Sequence, residues 1–153
     1  MVLVIETILF KYEDVVIIHM PSSIPYAIDE AFLDTYGHVN FAQQMLLVDE
    51  GRKALQAAIG FDDERLKGRG IGLFVNQASI QYHRQMHPGE TVIHSQFQPY
   101  EGGARIHMRH QVGIGETYAT AYTEHVCVDI QTGRPKKPLD DLINAINHDL
   151  EHG

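Results

Sequence analysis

The chain has 153 residues, enough for one domain with its own core and no stapling. Twenty acidic against 12 basic residues give a net charge of −8, which excludes a binder that works by neutralising nucleic-acid phosphates. One cysteine, Cys127, excludes an intrachain disulfide and fits a reducing, cytoplasmic setting, and no run approaches the roughly 20 apolar residues of a membrane span.

Residues 1–20 read as two short β runs, 2–10 and 15–20, with a turn at 11–14, and form an N-terminal β extension to a domain over 21–153. The opening residues lack a basic n-region and acids soon interrupt their apolar run, so a signal peptide is not expected. Pro21 and Pro25 break the pattern. Residues 26–33 read as a short strand that delivers the chain into a loop, Asp34 to Asn40. Phe41, Met45, Val48, Arg52, Leu55 and Ile59 then recur at spacings of four and three, which predicts a helix over 41–59 stopped by Gly60. Gly51 in the middle of that helix costs about 1 kcal/mol against alanine, which implies a close approach to another backbone. Glu50 and Arg52 interrupt a small or apolar surface, and a charge on a packed helix is usually a paired one.

Residues 61–70 form a charged connector with a short helical turn. From Ile71 the period changes to two, with strands over 71–85, 91–98, 104–112 and 118–130. Turns fall at Pro88-Gly89, Glu101-Gly102-Gly103, 113–116 and 131–135. Residues 139–150 close the chain as a helix with Leu142, Ile143 and Ile146 on one face. Segregated helix and antiparallel strands make an α+β fold, in which a curved antiparallel sheet wraps one long central helix.

Metal chemistry has little support. His83 and His87 sit at a strand end and in a turn, and His107 and His110 are three apart on a strand, on opposite faces. The Gly-x-Ser-x-Gly elbow, the Gly-x-Gly-x-x-Gly fingerprint and the Walker loop are absent. Cys127 lies within a strand pattern as a buried, inert thiol. The Asp34–Asn40 loop remains. An acid ahead of a helix start faces free N–H groups and the positive end of the helix dipole, where an oxyanion can be stabilised. The plainer reading of the same residues is a capped helix entry, with Asn40 as N-cap and Asp34 as a solvated turn residue.

Asp34-Thr-Tyr-Gly37-His38-Val39-Asn40, followed by Glu50-x-Arg52, resembles the signature of hotdog-fold thioesterases of the 4-hydroxybenzoyl-CoA thioesterase type. Gly72 to Val75, Ser79 to Tyr82, His87-Pro-Gly89-Glu90 and Asp129 to Pro135 resemble later parts of that family, so the likeness runs from about Ile24 to Leu139. Two positions depart from it: Phe41 stands where the family has a second Asn, and Gln44 where it has a helix Tyr. The resemblance implies a hotdog fold and hydrolysis of acyl-CoA or acyl-carrier-protein thioesters, without metal or organic cofactor. It implies Asp34 as nucleophile or general base, and the Phe41 backbone N–H as donor to the thioester oxygen. It also implies Gly37 as the residue that lets the loop pass close to substrate, and His38 and Asn40 as groups that hold the loop by hydrogen bonds. Gln44, Glu50 and Arg105 are the further expected substrate contacts. A homodimer or homotetramer, with the acyl groove between subunits, follows from the same likeness. Two rival readings are another hotdog enzyme, such as an acyl-thioester hydratase or dehydratase with His38 as base, and a non-catalytic acyl-thioester binder.

Overall fold

A computed structural model describes residues 23–153 together with two short strands, β1 (Phe10–Tyr12) and β2 (Val15–Ile17). These two pair antiparallel with Tyr12 opposite Val15, so Lys11 and Tyr12, expected in the turn, belong to the strand. The rest of the expected N-terminal extension lies outside the described residues.

The main elements are β3 (Ser23–Ile28), α1 (Phe41–Ala58), α2 (Asp63–Gly68), β4 (Ile71–Tyr82), β5 (Gly89–Phe97), β6 (Arg105–Val112), β7 (Ala119–Asp129) and α3 (Asp140–His152). Strands β3 to β7 form one antiparallel sheet in the order β3-β5-β6-β7-β4. The α+β expectation holds. β3 starts three residues earlier than expected and includes Pro25, because it is an edge strand and a missing N–H is tolerated there. Residues 30–32, expected as strand, form a 3-10 turn instead. The Asp29 carboxylate accepts the Ala31 N–H at 2.9 Å and bends the chain locally.

Alternation on the central strands is strict. Thr91, Ile93, Ser95 and Phe97 on β5, and Ile106, Met108, His110 and Val112 on β6, are buried against the helical layer. Along α1 the buried residues are Gln44, Leu47, Val48, Gly51, Arg52, Leu55 and Gln56. Phe41, expected on this face, is 71% exposed. The face is set by Gly51, which turns to the sheet: a Cβ built there would lie 2.4 Å from Ser95 Oγ and 2.7 Å from Ile93 Cγ2. The expected close approach is therefore real, but it is made to side chains of β5 and not to backbone.

The core has two apolar clusters. One, with Leu55, Phe97, Met108, Leu142 and Ile146, lies under the C-terminal half of α1 and brings in α3. The other, with Ile28, Val39, Leu47, Met86 and Ile93, lies under its N-terminal half. Opposite Gly51 runs a buried polar chain. Ser95 Oγ meets His110 Nδ1 at 2.8 Å, His110 Nε2 meets Thr123 Oγ1 at 2.9 Å, and His125 Nε2 meets the same hydroxyl at 2.8 Å.

Burial, reinforced by the nearby Arg52 charge, pushes the pKa of His110 down to about 4. The same causes, with His110 added, push His125 down to about 3. In the unfolded chain both titrate near 6.5. Between about pH 6.5 and 4 the unfolded state therefore binds more protons, so stability is complete above 6.5 and falls as the pH drops through that window. Each histidine contributes a slope of up to about 1.4 kcal/mol per pH unit. Urea unfolding at pH 7 and pH 4.5 should show a loss of a few kcal/mol that shrinks in His125→Gln. An equal loss in parent and variant would refute this assignment.

Candidate active site

The Asp34 loop is closed by its own backbone. The Asp34 N–H donates to the His38 carbonyl at 2.7 Å, and the Gly37 N–H donates to the Asp34 carbonyl at 3.0 Å. Gly37 sits at φ +78, a left-handed conformation that a side chain would strain. Leu33 and Val39 form an antiparallel bridge across the loop's base. Asp34 Oδ1 accepts the N–H groups of Tyr36 at 2.8 Å and His38 at 3.1 Å. One carboxylate oxygen is thus held by the loop. Asp34 is exposed, and Oδ2 has no hydrogen-bond donor among the described residues.

The loop is pinned to its surroundings from both sides. The Val39 N–H donates to the Met86 carbonyl at 3.1 Å, which ties it to the segment between β4 and β5. The Asn40 N–H donates to the Phe32 carbonyl at 3.1 Å. Asn40 Oδ1 then accepts the Gln43 N–H at 3.0 Å and caps α1. Asn40→Ala should cost about 1 kcal/mol, read as a lower urea midpoint; an unchanged midpoint would show that the cap is not needed. The capped-entry reading of Asn40 is therefore correct, and it coexists with an acid placed ahead of the helix. With the cap spent on Gln43, the Phe41 N–H stands at the first helical position, where no intrahelical acceptor exists. It points out of a helix start whose dipole favours negative charge.

Not every expected contact gathers here. His38 holds the loop through its backbone N–H and carbonyl, while its ring meets the His87 ring edge-on at 5.8 Å between centroids. Gln44 is buried one turn into α1, with Nε2 donating to the Val39 carbonyl at 3.2 Å. Glu50 lies farther along α1 and pairs with Lys53 at 3.4 Å. Arg105 stands at the far end of the β5–β6 hairpin from the loop, paired with Glu124 at 3.2 Å. It lines a groove of about 780 Å³ with Asn76, His107 and Glu124, a groove that does not include Asp34.

Arg52 is buried and structural. It bonds Asp49 Oδ1 at 2.9 Å, Gln56 Oε1 at 2.5 Å and both Asp63 oxygens at 3.3 Å, which ties α1 to α2. The roles of Met86 and Asp63 were not legible beforehand, because a carbonyl partner and an inter-helix ion pair leave no local pattern. Among the described residues, no group of three or more His, Cys, Asp or Glu side chains is placed to hold a metal ion. Cys127 is fully buried, and burial pushes its thiol pKa up.

Residues 29–146 match the family described as the thioesterase-like superfamily. The protein named "Putative acyl-CoA thioesterase YneP" from Bacillus subtilis (strain 168) is 30% identical over 104 residues, covering 67% of this chain and 75% of that protein. Among solved structures, Slr0204 from Synechocystis, a 1,4-dihydroxy-2-naphthoyl-CoA thioesterase, superposes with a TM-score of 0.75 at 20% identity, over 86% of this chain and 98% of its own. SAV2348 from Staphylococcus aureus, solved in complex with CoA, superposes with a TM-score of 0.77 at 13% identity, over 85% and 84%. At these identities the two structures speak for the hotdog fold alone.

Proposed function

The chain belongs to the thioesterase-like superfamily, and from that premise we propose that it hydrolyses acyl-CoA thioesters at the Asp34 loop. One observation carries the reading: an exposed carboxylate, with one oxygen held by two backbone N–H groups and the other free, stands just ahead of the uncapped Phe41 N–H. The free Oδ2 acts on the thioester carbonyl, either directly as nucleophile or through a water as general base. The Phe41 N–H receives the oxygen as negative charge develops on it, and the helix dipole adds to that stabilisation. The thiolate then leaves, and water supplies the hydroxyl of the product acid. No metal or organic cofactor is required; coenzyme A enters as part of the substrate.

Free-thiol release from a panel of short-chain, long-chain and aromatic acyl-CoAs tests this. Turnover of at least one member is expected. No release from any of them, and none from an acyl-carrier-protein thioester, would overturn the proposal.

The working form is a homo-oligomer in this reading. β4 is a sheet edge that leaves Phe74, Val75 and Tyr82 about half exposed, at 56%, 52% and 44%. An edge of that length and apolarity is a template for pairing with a second copy. Sedimentation equilibrium should give a dimer or a larger closed assembly, and a monomer at assay concentration would refute it.

A further inference from the structure

We infer that Gln44 is a positioning residue for the reaction, acting by aiming the Phe41 N–H; the inference rests on the thioesterase reading of the Asp34 loop. Consider the two peptide groups that enter α1. In a trans peptide the carbonyl and the N–H point in opposite directions. The peptide between Asn40 and Phe41 has its carbonyl bonded by the Gln44 backbone N–H at 3.2 Å. Its other end is the Phe41 N–H, so fixing the carbonyl fixes the direction of the donor. The preceding peptide, between Val39 and Asn40, has its carbonyl bonded by Gln44 Nε2 at 3.2 Å. Its N–H is held by the Phe32 carbonyl at 3.1 Å. Gln44 thus bonds the carbonyls of two successive peptides, one with its backbone and one with its side chain, while Phe32 holds the N–H of the first.

The side chain is specific to this task. Gln44 is 5% exposed, so it acts on the loop from below and not on substrate from the front. Its orientation is set by the acceptor: flipping the amide would turn Oε1 onto the Val39 carbonyl, oxygen against oxygen. In the orientation kept, Oε1 is buried with no partner among the described residues. An unpartnered buried carbonyl oxygen costs free energy. A methionine or leucine would fill the same space without that cost, so what a glutamine adds at this position is the Nε2–H bond.

Gln44→Met removes that bond and retains the buried volume. Losing an oxyanion donor outright costs about 10²- to 10³-fold in kcat. The variant keeps the backbone bond to the Asn40 carbonyl and loses only the hold on the preceding peptide. A donor still in place but on a less firmly held loop should therefore cost about tenfold, with KM within about twofold of the parent. A second readout bears on the donor itself. In an Asp34→Asn background, where turnover is slow enough for a bound acyl-CoA to be observed, the infrared stretch of its thioester carbonyl should be shifted to lower frequency by the Phe41 N–H. That shift should shrink when Gln44→Met is added. If Gln44→Met does not fold, Gln44→Asn carries the same expectation, because its amide is one methylene too short for Val39.

A folded variant with unchanged kcat and an unchanged carbonyl stretch would overturn the inference. A raised KM with kcat intact would also overturn it, by showing Gln44 as a direct substrate contact. Both outcomes require parent turnover. A parent without thiol release would instead overturn the thioesterase reading, and this inference with it.

Discussion

Asp34→Asn is expected to lower kcat for thiol release by about 10²- to 10⁴-fold, the range that a lost general base commands, while leaving the fold intact. The two halves of that expectation come from different oxygens. Oδ1 accepts from Tyr36 and His38 and shapes the loop. An asparagine carbonyl can accept the same two bonds, so the loop keeps its form. Oδ2 makes no such bond, and it is the atom that becomes an NH₂ group with neither basicity nor nucleophilicity. Asp34→Ala is the contrasting variant. It loses the base and both loop bonds, so its thermal midpoint should fall as well, whereas that of Asp34→Asn should not. Asparagine activity within about fivefold of the parent would remove Asp34 from the chemistry and direct attention to the paired rings of His38 and His87.

Gly51→Ala is expected to destabilise the fold by about 2 kcal/mol, although alanine is the better helix former. Propensity alone favours alanine by roughly 1 kcal/mol. Packing opposes it. The new methyl would lie 2.4 Å from Ser95 Oγ and 2.7 Å from Ile93 Cγ2, inside any real contact distance. Neither neighbour is the loose end of a long chain: both stand on a central strand, and Ser95 Oγ is engaged with His110. Overpacking of this kind costs about 1–3 kcal/mol, and displacing Ser95 breaks into the buried histidine chain as well. For a chain of this size a net loss of 2 kcal/mol lowers the thermal midpoint by about 4–8 °C. Gly68 supplies the comparison. It lies in α2 with nothing within 4 Å of a built Cβ, so Gly68→Ala should be neutral or slightly stabilising. A Gly51→Ala midpoint equal to the parent's would mean that helix and sheet are not held as close as drawn.

Local chemistry carried much of the architecture. Period-two runs placed β4 to β7 to within a few residues, and the turn glycines separated them. The four-and-three spacing found α1, and Gly60, at φ +83, ends it. Asn40 could be named as a cap because a cap is a local matter of one side chain and an N–H three residues on. The same holds for Asp34 and Gly37, whose own hydrogen bonds close within five residues.

What escaped was whatever depends on a distant partner. The spacing alone could not set the rotation of α1. It put Phe41 inside with Val48, Arg52 and Leu55; those three are buried, but contact with β5 at Gly51 widens the buried face to Gln44 and Leu47 and leaves Phe41 at the surface. Arg105 and Gln44 were both expected near substrate on equal terms. Only the sheet order shows that Arg105 ends at the opposite end of the hairpin, and only the packed helix start shows that Gln44 turns beneath the loop. The sequence likewise implied a partner for Arg52 without naming Asp63, and gave no sign of the backbone tie from Val39 to Met86. A loop's internal hydrogen bonds and a helix's caps are decided by neighbours in the chain, so one sequence suffices to read them. The face a helix buries, and the reach of a side chain across the core, are decided by packing against segments tens of residues away, and that information exists only once the chain has folded.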